Sequence, residues 1–345
     1  MKKVFLSLFC LVVLCGCTVN KPAQTETTTA PDTAAAGELT VRSVWITYYE
    51  LQAFTGKYDT GGDFYSAVSK AFAQLQRRGF TAVTVQVHPC ADAFYRSKYF
   101  PVSVYCFGKA GGELKYDPLE LLCKAAHENQ LKIEAWFNPY RVSQQDKIDK
   151  LSDDNIAKKW YKEKNGNVVI VNQKIYFNPA SKAVQKRIVA GVREIVKNYP
   201  VDGIHFDDYF YPNLDDSKAE TWFDYPEYQA GGTSLSVAAW RRNNVNELVR
   251  GVYSAVKSIR PQALFGISPE GYLQTLRKDT RQFTDVDAWM TQSGYVDYLM
   301  PQIYWGFEAK QNGQAAGYAF ANCLNEWVTL KKKGNVKLYV GLALY

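Results

Sequence analysis

Short β-rich runs alternate with amphipathic helical segments from Val41 to Tyr345, and this repeat constrains the fold more than any other feature. Strands are read at residues 41–47, 81–87, 131–137, 201–207, 263–268, 296–303 and 336–342. Helices are read at 63–78, 118–129, 181–198, 236–259 and 315–333. The 63–78 segment shows the logic: Asp63 is a capping type, Phe64, Val68, Ala71 and Leu75 share one face, and Gly79 stops the turn. Strand, helix, strand in repetition gives parallel strands joined by crossover helices. No glycine-rich nucleotide turn follows the first strand, which weighs against a doubly wound dinucleotide fold. The pattern predicts α/β, a (β/α)8 TIM-type barrel. Seven strands are read, and the chain stops at Tyr345 directly after the seventh. An open barrel leaves two long edges, which proteins avoid. The expectation is therefore a barrel C-terminally truncated after strand seven, its eighth βα unit missing.

Three units are expected: residues 1–16, 17–39 and 40–345. Lys2 and Lys3 precede an apolar run, Val4 to Val13, of about ten residues, too short to span a bilayer permanently. Leu14-Cys15-Gly16-Cys17 then reads as a lipobox, making residues 1–16 a lipoprotein signal peptide and Cys17 the lipidated mature N-terminus. Two acyl chains there bury enough methylenes for stable anchoring. Residues 18–38 are rich in Thr, Ala, Pro and Gln, cannot bury enough surface to fold, and read as a disordered tether. The expected location is the bacterial cell envelope, exported and lipid-anchored to the membrane. Export permits disulfides, so a Cys90–Cys106 bridge and buried free thiols both fit, the latter also for Cys123 and Cys323.

The net charge of +7 is spread along the chain and forms no basic run, so nucleic acid is not an expected partner. With 3 histidines (His88, His127, His205) and no Cys-rich spacing, no metal is expected, and no cofactor either. The 24 Tyr and 8 Trp offer flat apolar faces with polar edges, suited to stacking on sugar rings, although core packing claims many of them.

Chemistry in such barrels sits at the C-terminal ends of the strands. Here those ends carry Trp45 with Tyr48 and Tyr49, then Gln86, His88 and Asp92, then Trp136, Asn138 and Arg141. Next come His205, Asp207, Asp208 and Tyr209, then Glu270, then Gln302, Tyr304 and Trp305. Alternation along a strand puts His205 and Asp207 on one face and Ile204 and Phe206 on the other. The apolar pair belongs against the helices, so Asp207 faces the barrel mouth and Asp208 begins the loop. Glycoside hydrolysis takes two carboxyl groups, one a nucleophile or base, the other an acid with a raised pKa. Asp207 is the first candidate; its partner is Glu270 or Asp208.

These motifs resemble the glycosyl-hydrolase-like family 10 of exported bacterial proteins. The resemblance rests on R-S-V-W-I-T from Arg42, V-Q-V-H-P-C-A-D-A-F-Y from Val85, S-K-Y-F-P from Ser97 and A-W-F-N-P-Y-R-V from Ala135. It continues through D-G-I-H-F-D-D-Y-F-Y-P from Asp202, F-G-I-S-P from Phe265 and V-D-Y-L-M-P-Q-I-Y-W from Val296. It implies a (β/α)8 glycoside hydrolase acting on a cell-surface glycan, foremost peptide-free peptidoglycan strands. By the same resemblance Asp207 is nucleophile or base and Asp208 second carboxylate or stabiliser. His205 would bond a carboxylate or a sugar hydroxyl, and Asn138 and Arg141 would bind sugar oxygens. Trp45, Trp136, Tyr209, Tyr304 and Trp305 would wall the site, and Gln86 and Gln302 would bond hydroxyl or acetamido groups. His88 stands where relatives are expected to carry Arg, and the segment at Glu270 is expected to vary.

The alternatives are a hydrolase of a dietary, host or capsular polysaccharide and a non-catalytic sugar-binding lipoprotein. Metal-dependent deacetylation is weaker, since its Asp-His-His cluster would have to draw on His88 and His205.

Overall fold

The computed structural model describes residues 11–12, 41–213 and 222–343. The expected signal peptide, Cys17 and the tether lie outside the described residues, apart from the backbone of Leu11 and Val12. Parallel strands form one sheet in chain order: β1 (Ser43–Ile46), β2 (Ala82–His88), β3 (Lys132–Phe137), β4 (Gly203–Asp207), β5 (Leu264–Ser268), β6 (Tyr298–Leu299) and β7 (Lys337–Leu338). Leu11–Val12 pairs antiparallel with the outer side of β1. Among the described residues β1 and β7 do not pair, so the α/β barrel is incomplete.

The four long crossover helices start at side-chain caps. Thr60 rather than Asp63 caps Gly61–Arg77, its hydroxyl accepting from the Asp63 N–H at 3.1 Å. Asp63 instead places a negative charge in the first turn, where the helix dipole favours it. Asp117, Ser181 and Ser236 cap Pro118–Glu128, Lys182–Asn198 and Val237–Ile259. The apolar faces of these helices, such as Phe64, Leu122, Ile188 and Val249, bury the outer side of the sheet at Val85, Ile133, Ile204, Phe206 and Phe265. Each fully buried side chain of that size stabilises by roughly 1.5–3 kcal/mol.

Three segments depart from the sequence expectation. Tyr48–Thr55 is a helix rather than a strand end, opened by a capping box between Thr47 and Glu50. After β3 the chain builds a three-stranded antiparallel sheet in the order Arg141–Ser143, Lys174–Phe177, Val168–Val171. β6 is only two residues long because Pro301 offers no N–H. Pairing resumes at Gln302, whose N–H donates to Pro269 O at 2.8 Å, and which bridges to Glu270 and Gly341. The inner face is polar and aromatic. A side chain at Gly266 would collide with the Tyr298 ring, a Cβ there lying 1.9 Å from it, so glycine is what admits Tyr298 to the interior.

Candidate active site

Asp207 ends β4 and points inward, 2% exposed. Neighbouring strands supply its donors. Trp136 Nε1, on β3, lies 3.3 Å from Asp207 Oδ2, Asn138 Nδ2 donates to the same oxygen, and the Tyr209 N–H donates to Oδ1 at 3.4 Å. Asn138 is itself held in place. Its Oδ1 accepts from Gln86 Nε2 at 2.6 Å and from an Arg141 guanidinium nitrogen at 3.1 Å. Gln86 Oε1 accepts from the Tyr48 N–H, and Arg141 Nε donates to Pro89 O at 2.8 Å. Burial raises Asp207 above the ordinary carboxylate range, while Arg141, Asn138, the Tyr209 N–H and Trp136 pull it back down.

Asp208 lies one residue on, 7% exposed. Burial, then the charges of Asp207 and Glu270, push its pKa up to about 8. Parallel pairing of β4 with β5 through Asp207 and Ser268 brings Glu270, two residues further on, near Asp208. Glu270 is half-buried; burial raises it, and Arg281 and Lys278 oppose the rise. The three candidate carboxyls therefore meet at one mouth, Asp207 among hydrogen-bond donors and a cation, Asp208 beside two other carboxyls.

Beneath them His205 is fully buried, Nδ1 at 2.8 Å from the Tyr298 hydroxyl and Nε2 at 3.0 Å from Ser268 Oγ. Tyr298 in turn donates to Glu134. Trp45 packs on Trp136 with ring centroids 5.3 Å apart and on His205 at 5.4 Å, and its indole N–H is buried without a protein partner. Tyr304 packs on this inner aromatic group. Gln302 Nε2 donates to Ser268 O at 2.7 Å, and Trp305 lies against Tyr318. Tyr209 is 48% exposed at the rim.

Several expected contacts fall elsewhere. A bulge between Gln86 and His88 turns His88 to the helix side of the sheet, where it is 0% exposed and stacks on Phe137 at 3.6 Å. It cannot touch a ligand in the mouth, and it stands on the opposite side of the sheet from His205, so an Asp-His-His cluster does not form. Among the described residues no group of three metal-binding side chains converges. Gln86 is 2% exposed with both amide atoms engaged, and orients Asn138 rather than meeting solvent. Asp92 is 8% exposed, accepts from the Cys90 N–H, and is raised to about 7 by burial. The four described cysteines are free and buried. Tyr105 and Tyr176, near Arg141, and Tyr298, between His205 and Glu134, belong to the surroundings of the site without having stood out in the sequence. A cavity of about 840 Å³, lined by Ser43, Thr84, Lys132, Asp202 and Tyr298 among others, lies at the opposite end of the strands and holds none of the three carboxyls.

Comparison with known proteins agrees with this architecture. Two relatives are the glycosyl hydrolase YngK of Bacillus subtilis and the glycosyl hydrolase DigH of Escherichia coli K12. YngK is 35% identical over 297 residues, covering 80% of this chain and 55% of that protein. DigH is 35% identical over 288 residues, covering 79% and 64%. The chain thus spans 55–64% of the length of these relatives. Among solved structures, the PgaB (BpsB) glycoside hydrolase domain from Bordetella bronchiseptica matches with a TM-score of 0.52 at 10% identity, covering 76% of this chain and 74% of that one, a likeness of fold alone. Residues 40–345 match the family described as Glycosyl hydrolase-like 10, and the chain belongs to that family.

Proposed function

We propose that this protein hydrolyses the glycosidic bonds of a cell-surface glycan, peptide-free peptidoglycan strands in particular, while held to the membrane through Cys17. The observation that carries the chemistry is the unequal surroundings of neighbouring carboxyls. Asp207 is set among donors and Arg141, whereas Asp208 is pushed up to about 8. Environments that drive two carboxyls apart assign the base and the acid. Asp207 acts as nucleophile or base, and Asp208 hands its proton to the departing sugar oxygen. Glu270 keeps that proton in place by its charge. Tyr304 and Trp305, half-buried, offer ring faces and edges to the sugar above the buried Trp45–Trp136 pair. The substrate reading follows from the family resemblance and from the lipobox, which would set the barrel beside the wall.

The test is incubation of the full-length protein with denuded glycan strands, with mass spectrometry of the products. Oligosaccharide release is expected, and Asp207→Asn is expected to lower it at least roughly 10²–10⁴-fold, the range of acid–base catalysis, with the unfolding curve unchanged. Undiminished release by that variant would remove Asp207 from the mechanism. Turnover of a neutral polysaccharide, with none of the strands, would reassign the substrate.

A further inference from the structure

Tyr49 is 61% exposed, yet it is not a loose surface ring. Its centroid lies 4.0 Å from that of Tyr48 at 33°, and 6.2 Å from that of Tyr105 at 71°. Tyr48 is 4% exposed and 4.6 Å from Tyr105, so the three rings brace one another at the start of the Tyr48–Thr55 helix. The Arg141 guanidinium continues the strip, 5.9 Å from the Tyr48 centroid and 5.5 Å from that of Tyr209. Arg141 is 7% exposed and fixed by Pro89 O and Asn138 Oδ1, and Asn138 holds Asp207. A row of rings about a buried cation therefore runs outward from the nucleophile, with one wall tied to the catalytic carboxylate through a single side chain.

We infer that Tyr49, braced by Tyr48 and Tyr105 and joined to the mouth by Arg141 and Tyr209, forms a further sugar-binding subsite that grips the glycan chain beyond the bond being cut. The proposal rests on the glycan reading above. An exposed aromatic face with a hydroxyl at its edge matches the apolar C–H face and hydroxyl rim of a pyranose ring. Pre-positioned rings lose little freedom on binding, which favours them as a ligand platform. The occupant is ring-sized: a protein partner would need about 800 Å² on each side, and the strip presents only Tyr49 and Tyr209 as well-exposed rings. Tyr49 itself makes none of the bonds to Asp207, which come from Trp136, Asn138 and the Tyr209 N–H, so it acts on chain length rather than on the chemical step.

The experiment uses the full chain carrying Asp207→Asn as a non-hydrolysing background, titrated calorimetrically with oligosaccharides of increasing length prepared from denuded strands. Adding Tyr49→Ala is expected to weaken binding of the longer oligosaccharides about tenfold and that of a disaccharide far less, with Tyr49→Phe restoring most of the affinity. In the active protein the same substitution is expected to raise KM for long strands in proportion. Equal affinities with and without Tyr49→Ala overturn the subsite, as does a loss that ignores chain length, and as does failure of every oligosaccharide to bind. Hydrolysis with an unaltered KM in Tyr49→Ala removes the subsite and leaves the enzyme reading. Length-dependent binding through Tyr49 in a protein that cuts nothing removes the enzyme reading and leaves the subsite.

Discussion

Glu134→Gln tests whether the barrel interior holds a proton that the unfolded chain would release. The Glu134 side chain is 13% exposed, and its carboxyl accepts from the Tyr298 hydroxyl. His205 Nδ1 lies 4.0 Å away, but burial drives His205 down to about 3, so the imidazole is neutral and supplies no counter-charge. Burial raises Glu134 from 4.5 to about 7. A group whose pKa is raised by folding contributes fully below its unfolded pKa, and that contribution is lost as pH climbs to the folded value. For Glu134 the loss runs from about pH 4.5 to about pH 7. One pKa unit is about 1.4 kcal/mol, so the interval amounts to on the order of 3 kcal/mol, an upper figure because part of the side chain meets solvent. The amide keeps an oxygen for Tyr298 and does not titrate. Urea unfolding of both proteins at about pH 5 and pH 8 gives the comparison. The variant is expected to gain roughly 2 kcal/mol on the wild type between the two conditions. Parallel profiles, offset by the same amount at both pH values, would refute the reasoning.

Two further predictions concern the mouth and the outer core. Turnover is expected to fall above about pH 8 as Asp208 loses its proton, and on the acid side as Asp207 gains one. Glu270→Gln removes one of the charges that raise Asp208, so the alkaline limb is expected to move to lower pH. A limb that stays in place uncouples the two residues, and complete loss of turnover makes Glu270 the acid. His88 buries two ring nitrogens without partners, and an unsatisfied buried polar group costs about 1–3 kcal/mol. His88→Phe keeps the stack on Phe137 and is expected to raise stability by roughly 1 kcal/mol in urea unfolding, whereas a raised KM for glycan would return His88 to the substrate.

The barrel was legible because period-two strands and period-3.6 helices leave different marks, and the seven strand positions read from the pattern each overlap an observed strand. The facing of Asp207 was legible for the same reason: Ile204 and Phe206 could only belong against the helices, and they pack there. His88 was misplaced because alternation assumes an unbroken strand, and one bulge at Gln86–His88 reversed it. Gln86 was read as a sugar contact, but its amide is spent on Tyr48 and Asn138, a long-range pairing that no local pattern encodes. The small sheet after β3 escaped notice because its strands are three or four residues long and pair only with one another.

That small sheet bears most directly on the chemistry. Asp207 and Asp208 are adjacent, and the step between them carries one out of the barrel interior and into the loop. Left to burial alone both carboxyls would rise together, since burial is the leading cause of each shift. Arg141 is first among the influences that pull Asp207 back down, whereas Asp207 and Glu270 raise Asp208 further by their charges. Arg141 stands on no barrel strand. It opens the small sheet, pairs with Tyr176, and is turned back toward Asp207 by its bonds to Pro89 and Asn138. The parallel strands thus bring the carboxyls together, and the antiparallel excursion brings in the cation that acts on Asp207.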